Sequence, residues 1–194
     1  MSFEQNKYQV IKNAISYDLA NFCFNYLLLK RDAIKFMYDN NFIAENSMHG
    51  TWKDPQVPGV YSIYADHVME TLLVKTLPVM KEKTGLDLLP TYSYARVYEK
   101  GSILEKHKDR PSCEVSTTIN LGGDLWSIYI EKVKIDLKPG DMVIYSGCEL
   151  EHWREPFEGN ICGQVFLHYN HAQGPFAKTN LYDKRPLLGI PKTS

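Results

Sequence analysis

From residue 91 to residue 169 the sequence is a succession of short β-rich runs broken by turn residues, a punctuation that admits a mainly β core and little else. Residues 92–98 (YSYARVY) alternate and end at the turn Glu99-Lys100-Gly101-Ser102, which sends the chain back into an extended stretch over 104–109. Residues 113–121 (CEVSTTINL) predict a strand broken by Gly122-Gly123-Asp124, and 126–131 and 132–137 predict two shorter ones. Pro139-Gly140-Asp141 is a turn before the apolar strand 142–145. Ser146-Gly147 then lets the chain bend before His152, and residues 160–169 (NICGQVFLHY) close the series.

Inside this series stands His107-Lys108-Asp109. In an extended segment residues i and i+2 share a face, so His107 and Asp109 can chelate one ion, and His152 can supply a second imidazole. Two histidines and one carboxylate leave coordination positions open, and their mixed nitrogen and oxygen character suits Fe(II). A structural zinc site would want a closed shell. The spacing Cys148-x-x-x-His152, with Cys162 further on, is the zinc alternative, but it lacks paired Cys-x-x-Cys knuckles. His168 competes for the place of third ligand; His152 is preferred because a Gly-Asp strand and a loop precede it. His49, His67 and His171 stand apart from any ligand pattern.

The residues around the pair form a larger pattern. Tyr98 lies nine residues before His107, Pro139-Gly140-Asp141 heads the strand that leads to His152, and His152-Trp153-Arg154-Glu155-Pro156 reads His-x-x-x-Pro with Gly159 beyond it. In this combination the chain resembles the 2-oxoglutarate and Fe(II)-dependent oxygenases, and among them the prolyl 4-hydroxylase-like branch. The resemblance spans residues 91–169, less than half the chain. It implies an α+β fold with a mainly β core, a double-stranded β-helix of jelly-roll or cupin-like form. It implies Fe(II) on His107, Asp109 and His152, with 2-oxoglutarate as co-substrate hydrogen-bonded by Tyr98, and O2 consumed in hydroxylating an unactivated C–H bond. A prolyl residue in a peptide, or a free amino acid, is the substrate it suggests. The alternative is a cupin-like barrel that binds metal or serves a structural role without turnover.

One departure from the family bears on the co-substrate. A Lys or Arg about ten residues past the last iron ligand normally pairs with the distal carboxylate of 2-oxoglutarate, and a dicarboxylate buried without a cation would be costly. Here that stretch reads Gly159-Asn160-Ile161-Cys162-Gly163-Gln164. Arg96, on the strand face of Tyr98, is the first replacement; its competing role is a surface salt bridge with a nearby acid. Arg154 is the second, and Gln164 can add an amide contact. Thr118 and Asn120 are expected to line the cavity. Arg110, with Lys106 and Lys108, can draw an anionic substrate, and His168 shares a strand face with Cys162, Gln164 and Phe166 where it can touch substrate or serve as a core histidine.

The rest of the chain predicts support for that core. Ser16-Tyr17-Asp18 caps a helix over 19–37 with Phe22, Tyr26, Leu29 and Ala33 as its apolar stripe. A second helix over 66–83 carries Val68, Leu72, Leu73, Leu77 and Met80, ends at Gly85, and is bent or split by Pro78. Both helices are expected on the outer sheet. Residues 45–64 predict a loop long enough for a lid, and 172–194 an extended tail. The 194 residues thus predict one domain, with 1–88 mainly helical, 89–171 the β-helix and 172–194 the tail. With 22 basic against 23 acidic residues no basic field advertises nucleic acid, and no apolar stretch is long enough for a membrane span. Cys23, Cys113, Cys148 and Cys162 are scattered, and no apolar secretory stretch follows Met1, so reduced packing thiols and a cytoplasmic setting are expected. Oligomeric state has no signature.

Overall fold

The computed structural model describes residues 2–44 and 46–190; residue 45 of the expected loop and 191–194 of the expected tail lie outside the described residues. Ten strands, β1 (Tyr8–Ile11), β2 (Tyr61–Tyr64), β3 (Leu88–Glu99), β4 (Leu104–His107), β5 (Val115–Gly123), β6 (Ile128–Ile130), β7 (Val133–Ile135), β8 (Met142–Tyr145), β9 (His152–Arg154) and β10 (Ile161–His171), are joined by four helices, α1 (Phe3–Asn6), α2 (Tyr17–Asp39), α3 (His67–Thr84) and α4 (Ala177–Asn180). The strands form a six-stranded sheet in the order β1-β8-β5-β10-β3-β2 and a four-stranded sheet in the order β4-β9-β6-β7, every pairing antiparallel.

The large sheet is buried on both faces, and period-two alternation decides what each face carries. Ala95 and Val97 of β3, Ile119 and Leu121 of β5, and Val165, Leu167 and Tyr169 of β10 join Cys23 and Leu27 of α2 and Met69, Leu72, Leu73 and Met80 of α3 in one apolar core. Their strand neighbours point the other way, toward the small sheet, and are polar or aromatic. In register they form rows, His168 with Ser116 and Tyr92, Phe166 with Thr118 and Tyr94, Gln164 with Asn120 and Arg96. The hydrophobic face thus holds the helices on, and the polar face is left to line a site.

The helices sit where the sequence places them, with a different face inward on α2. Ala20, Cys23, Leu27 and Ile34 are buried, whereas Phe22 is 61% and Leu29 72% exposed and Ala33 faces solvent. Nearly all of residues 22–29 are apolar, so more than one helical stripe can be drawn, and close approach to the sheet decides between them. A Cβ at Gly122 or Gly163 would overlap the Phe24 ring. Ser16 caps α2 by accepting from Leu19 N, and Asp66 caps α3 by accepting from Val68 N and Met69 N. Gly85 ends α3 at φ 71°, as a left-handed cap requires. Pro78 does not split α3, which runs unbroken over His67–Thr84.

Three expectations change. The first 88 residues contribute β1 and β2 as edge strands of the large sheet as well as helices. The expected loop over 45–64 is shorter, because Tyr61–Tyr64 pairs with β3 and Thr51 bridges Ser62. The tail is not extended: α4 is followed by Tyr182, Asp183 and Lys184, all at positive φ (48°, 56° and 67°), a conformation that L residues adopt only when their surroundings hold them. No helix among the described residues is long and apolar enough to cross a membrane.

Candidate active site

Strands β4 and β9 pair His107 directly opposite His152, so both imidazoles emerge side by side, their ring centroids 4.3 Å apart. Asp109 follows β4 and its N–H donates to the Gly147 carbonyl at 2.8 Å. Its Oδ1 lies 3.7 Å from His107 Nε2 and 3.4 Å from His152 Nε2. Donors about 2.1 Å from an ion and at right angles stand about 3 Å apart, so small adjustments close this set on one cation. The tautomers agree. His107 Nδ1 lies 2.8 Å from Glu105 O and His152 Nδ1 3.0 Å from Leu150 O, contacts that need N–H at Nδ1 and leave the lone pair at Nε2. Ser116 Oγ donates to Asp109 Oδ2 at 2.9 Å and fixes the carboxylate. Gly147 is required for that approach, since a Cβ there would overlap Asp109 Oδ2 and the Cys113 carbonyl.

Asp109 also belongs to a second donor set with Cys113 and His168, all within 4.8 Å. There burial pushes the Cys113 thiol well above its usual range, its sulfur is 3.0 Å from Tyr92 Oη, and His168 Nδ1 is 2.8 Å from Ser116 Oγ. A protonated thiol is a poor ligand, which favours the two-histidine set. The zinc alternative is not assembled among the described residues: Cys148 Sγ donates to Arg110 O, and Cys162 lies in another wall, 3.1 Å from Gln164 Nε2.

Beside the histidines opens a cavity of about 270 Å³. Tyr64, Tyr92, Tyr94, Phe166 and His168 form its aromatic side. Two ion pairs frame it, and in each the acid comes from outside the β-helix. Asp54 Oδ2 accepts from Arg96 Nη2 at 2.6 Å and Nε at 3.0 Å, and from Tyr94 Oη at 2.8 Å. Asp183, in the left-handed turn of the tail, accepts from Arg110 Nη1 at 2.7 Å and Nη2 at 2.8 Å, from Ser112 Oγ at 2.7 Å and from Tyr64 Oη at 2.8 Å. These bonds hold the turn. Arg96 therefore has an acidic partner, as its competing role requires, although the pair is buried. No periodicity or motif marks Asp54, Gln56 or Asp183.

Deeper between the sheets the surroundings differ. Arg154, 1% exposed, shares the face of His152 two residues before it. Its Nη1 donates to Trp126 O, its guanidinium lies 5.0 Å over the Trp126 ring, and Nε and Nη2 have no hydrogen-bond partner among the described residues. Thr118 and Asn120, expected to line the cavity, are buried and not among its lining residues: Thr118 Oγ1 donates to Gln164 Oε1 at 3.2 Å, and Asn120 Nδ2 donates to Leu137 O at 2.6 Å while its Oδ1 is unpartnered. Tyr98 Oη accepts from Arg96 Nη1 at 3.3 Å.

His168 also makes acid stability predictable. Burial pushes its pKa from 6.5 down to about 4, so the folded protein keeps it neutral. The unfolded chain takes the proton first. Stability of the metal-free protein should therefore fall as pH drops below 6.5 and this contribution level off below 4, by on the order of 3 kcal/mol. Urea unfolding between pH 7 and pH 4 should show the slope, and His168→Gln should flatten it; an unchanged slope in that variant would assign it to another group.

No family model matches the sequence, and no curated protein matches it. Solved structures do. A Pseudomonas putida prolyl-4-hydroxylase superposes with TM-score 0.61 at 15% identity, over 87% of this chain and 95% of that one. HygX from Streptomyces hygroscopicus, with nickel and 2-oxoglutarate bound, gives TM-score 0.63 at 12% identity, over 90% and 86%. The chain has the fold of the 2-oxoglutarate–Fe(II) oxygenases. The non-heme α-ketoglutarate-dependent epimerase SnoN of nogalamycin biosynthesis shares this double-stranded β-helix, with TM-score 0.65 at 13% identity, over 99% and 92%. The expected α+β fold with helices on the outer sheet is thereby met.

Proposed function

We propose that the protein is an Fe(II)- and 2-oxoglutarate-dependent oxygenase that hydroxylates an unactivated C–H bond of a small molecule or peptide. The observation that carries this reading is the convergence of His107 Nε2, Asp109 Oδ1 and His152 Nε2, each imidazole with its lone pair at Nε2, at the wall of the cavity. Iron and 2-oxoglutarate, when bound, supply oxidising power from O2, with the co-substrate lost as CO2 and succinate. The chain supplies the rest. Arg154 offers its idle Nε–H and Nη2–H to the distal carboxylate, which makes it a better anchor than Arg96, whose charge Asp54 already neutralises. Thr118, Asn120, Gln164 and Tyr98 offer neutral hydrogen bonds around it, and the tyrosine-rich wall with Phe166 keeps water from the reacting centre.

A prolyl residue or a free amino acid is the substrate class we favour, with Arg110 and His168 as wall residues that contact it. SnoN shows that this fold also serves epimerisation, so the product must be weighed as well as the co-substrate. Four free cysteines and the near-zero net charge support a cytoplasmic protein with no nucleic-acid partner.

Anaerobic titration of the Fe(II)-loaded protein with 2-oxoglutarate tests the reading. A weak visible charge-transfer band is expected in the parent and not in His107→Ala. With O2 and substrate, succinate should form and one oxygen atom should be added to the product. No band at saturating co-substrate would favour a metal-binding or structural barrel without turnover.

A further inference from the structure

The expected lid reaches the metal ligands through one side chain. Gln56 Nε2 lies 3.0 Å from His107 Nε2, and Gln56 Oε1 accepts from Arg96 Nη2 at 2.6 Å. The orientation of the carboxamide follows from its neighbours. Arg96 can only donate, so the amide oxygen must face it and the amide nitrogen must face His107. His107 in turn has its N–H at Nδ1, against Glu105 O, and meets Gln56 with the lone pair of Nε2. Donors and acceptors thus run in one direction from Arg96 through Gln56 and His107 to Glu105.

An imidazole nitrogen has one in-plane lone pair, and a metal ion would need the one that Gln56 now occupies. We propose that Gln56 is a displaceable occupant of the metal position, so that metal binding at His107 and full seating of the 51–60 loop exclude each other. This rests on the same metal-site reading. The loop is built for such a change. Its root is fixed by the Thr51–Ser62 bridge and by Trp52, whose ring lies 4.9 Å from that of Tyr61. Its tip holds on through Asp54 and Gln56, both bound to Arg96, and through the buried side chain of Val57 between them and the next turn. When an ion takes the His107 lone pair, the Gln56 carboxamide has to turn away. The tip then keeps Asp54 as its hold on Arg96, and Arg96 Nη2 gains a free direction toward the cavity. By reciprocity, whatever seats the loop weakens metal binding by the same factor that metal loosens the loop.

Two measurements on the full chain test this, with Co(II) as the probe. Gln56 is exposed and its removal leaves no buried group unpaired, so Gln56→Ala should fold. It should bind Co(II) about 3- to 10-fold more tightly than the parent, the worth of one hydrogen bond that no longer competes. In the parent, Co(II) alone should speed hydrogen exchange of backbone amides in residues 54–59, among them Gln56 N–H on Asp54 Oδ1 and Gly59 N–H on Trp52 O. Equal or weaker affinity in Gln56→Ala, or unchanged or slower exchange in the parent, overturns the proposal while leaving the metal site intact. Failure of the parent itself to bind Co(II), with His107→Ala indistinguishable from it, overturns both the proposal and the oxygenase reading.

Discussion

His152→Ala should weaken Fe(II) or Co(II) binding by more than about 100-fold, while His168→Ala should stay within about tenfold of the parent. Both histidines are buried beside Asp109, and the sequence prefers His152 while leaving His168 as a competitor. Geometry separates them. His152 Nε2 faces Asp109 Oδ1 at 3.4 Å with its other nitrogen tied to backbone, the arrangement of an oriented ligand. His168 reaches the carboxylate only through Ser116, whose Oγ stands 2.8 Å from His168 Nδ1 and 2.9 Å from Asp109 Oδ2. Loss of His168 therefore loosens a support of a ligand, whereas loss of His152 removes one of three. Isothermal titration of the metal-free variants decides the matter. Loss of binding in His168→Ala with retention in His152→Ala would transfer the third ligand to β10.

The competition arose because period two tells which residues share a face and not how far a face lies from an ion. That same rule served well where a strand is long. The inward rows of β3, β5 and β10, and with them Arg96, Tyr98, Thr118, Asn120, Gln164 and His168, could be read from alternation once the turns were placed. It served less well on α2, where Phe22 and Leu29 looked inward because residues 22–29 are apolar almost all round. The choice of face there depends on small side chains meeting glycines on a sheet distant in sequence. Asp54, Gln56 and Asp183 were illegible for a related reason. Each reaches the site from a segment whose local sequence encodes only a turn, and its role exists through partners 40 to 119 residues away. The left-handed run at Tyr182–Lys184 is a further case: of the three only Asp183 is a residue type that takes positive φ at all readily, and the bonds to Arg110, Ser112 and Tyr64 hold it there.

The two candidate arginines predict opposite patterns, and this is the sharper test of how the co-substrate is held. Arg154 is a buried charge without a carboxylate partner, and burial lowers its pKa accordingly. Replacing such a group by a well-packed apolar side chain is often neutral or stabilising, by about 1–4 kcal/mol. Arg154→Met should therefore leave the co-substrate-free protein as stable as the parent or more so. The same change should abolish 2-oxoglutarate binding, because a dicarboxylate entering that interior would leave one carboxylate unpaired, at about 3–5 kcal/mol or more than 100-fold in affinity. Arg96 stands in the reverse position. It is one half of a buried pair, and Arg96→Met would strand Asp54 among Tyr94 and the loop backbone. Its stability should fall by about 3–5 kcal/mol, with 2-oxoglutarate affinity at permissive temperature changed far less. Urea unfolding of the metal-free variants and co-substrate titration of the Fe(II)-loaded ones read both quantities. A stable Arg154→Met that still binds 2-oxoglutarate would return the anchor to Arg96 and require the Asp54–Arg96 pair to open when the co-substrate arrives.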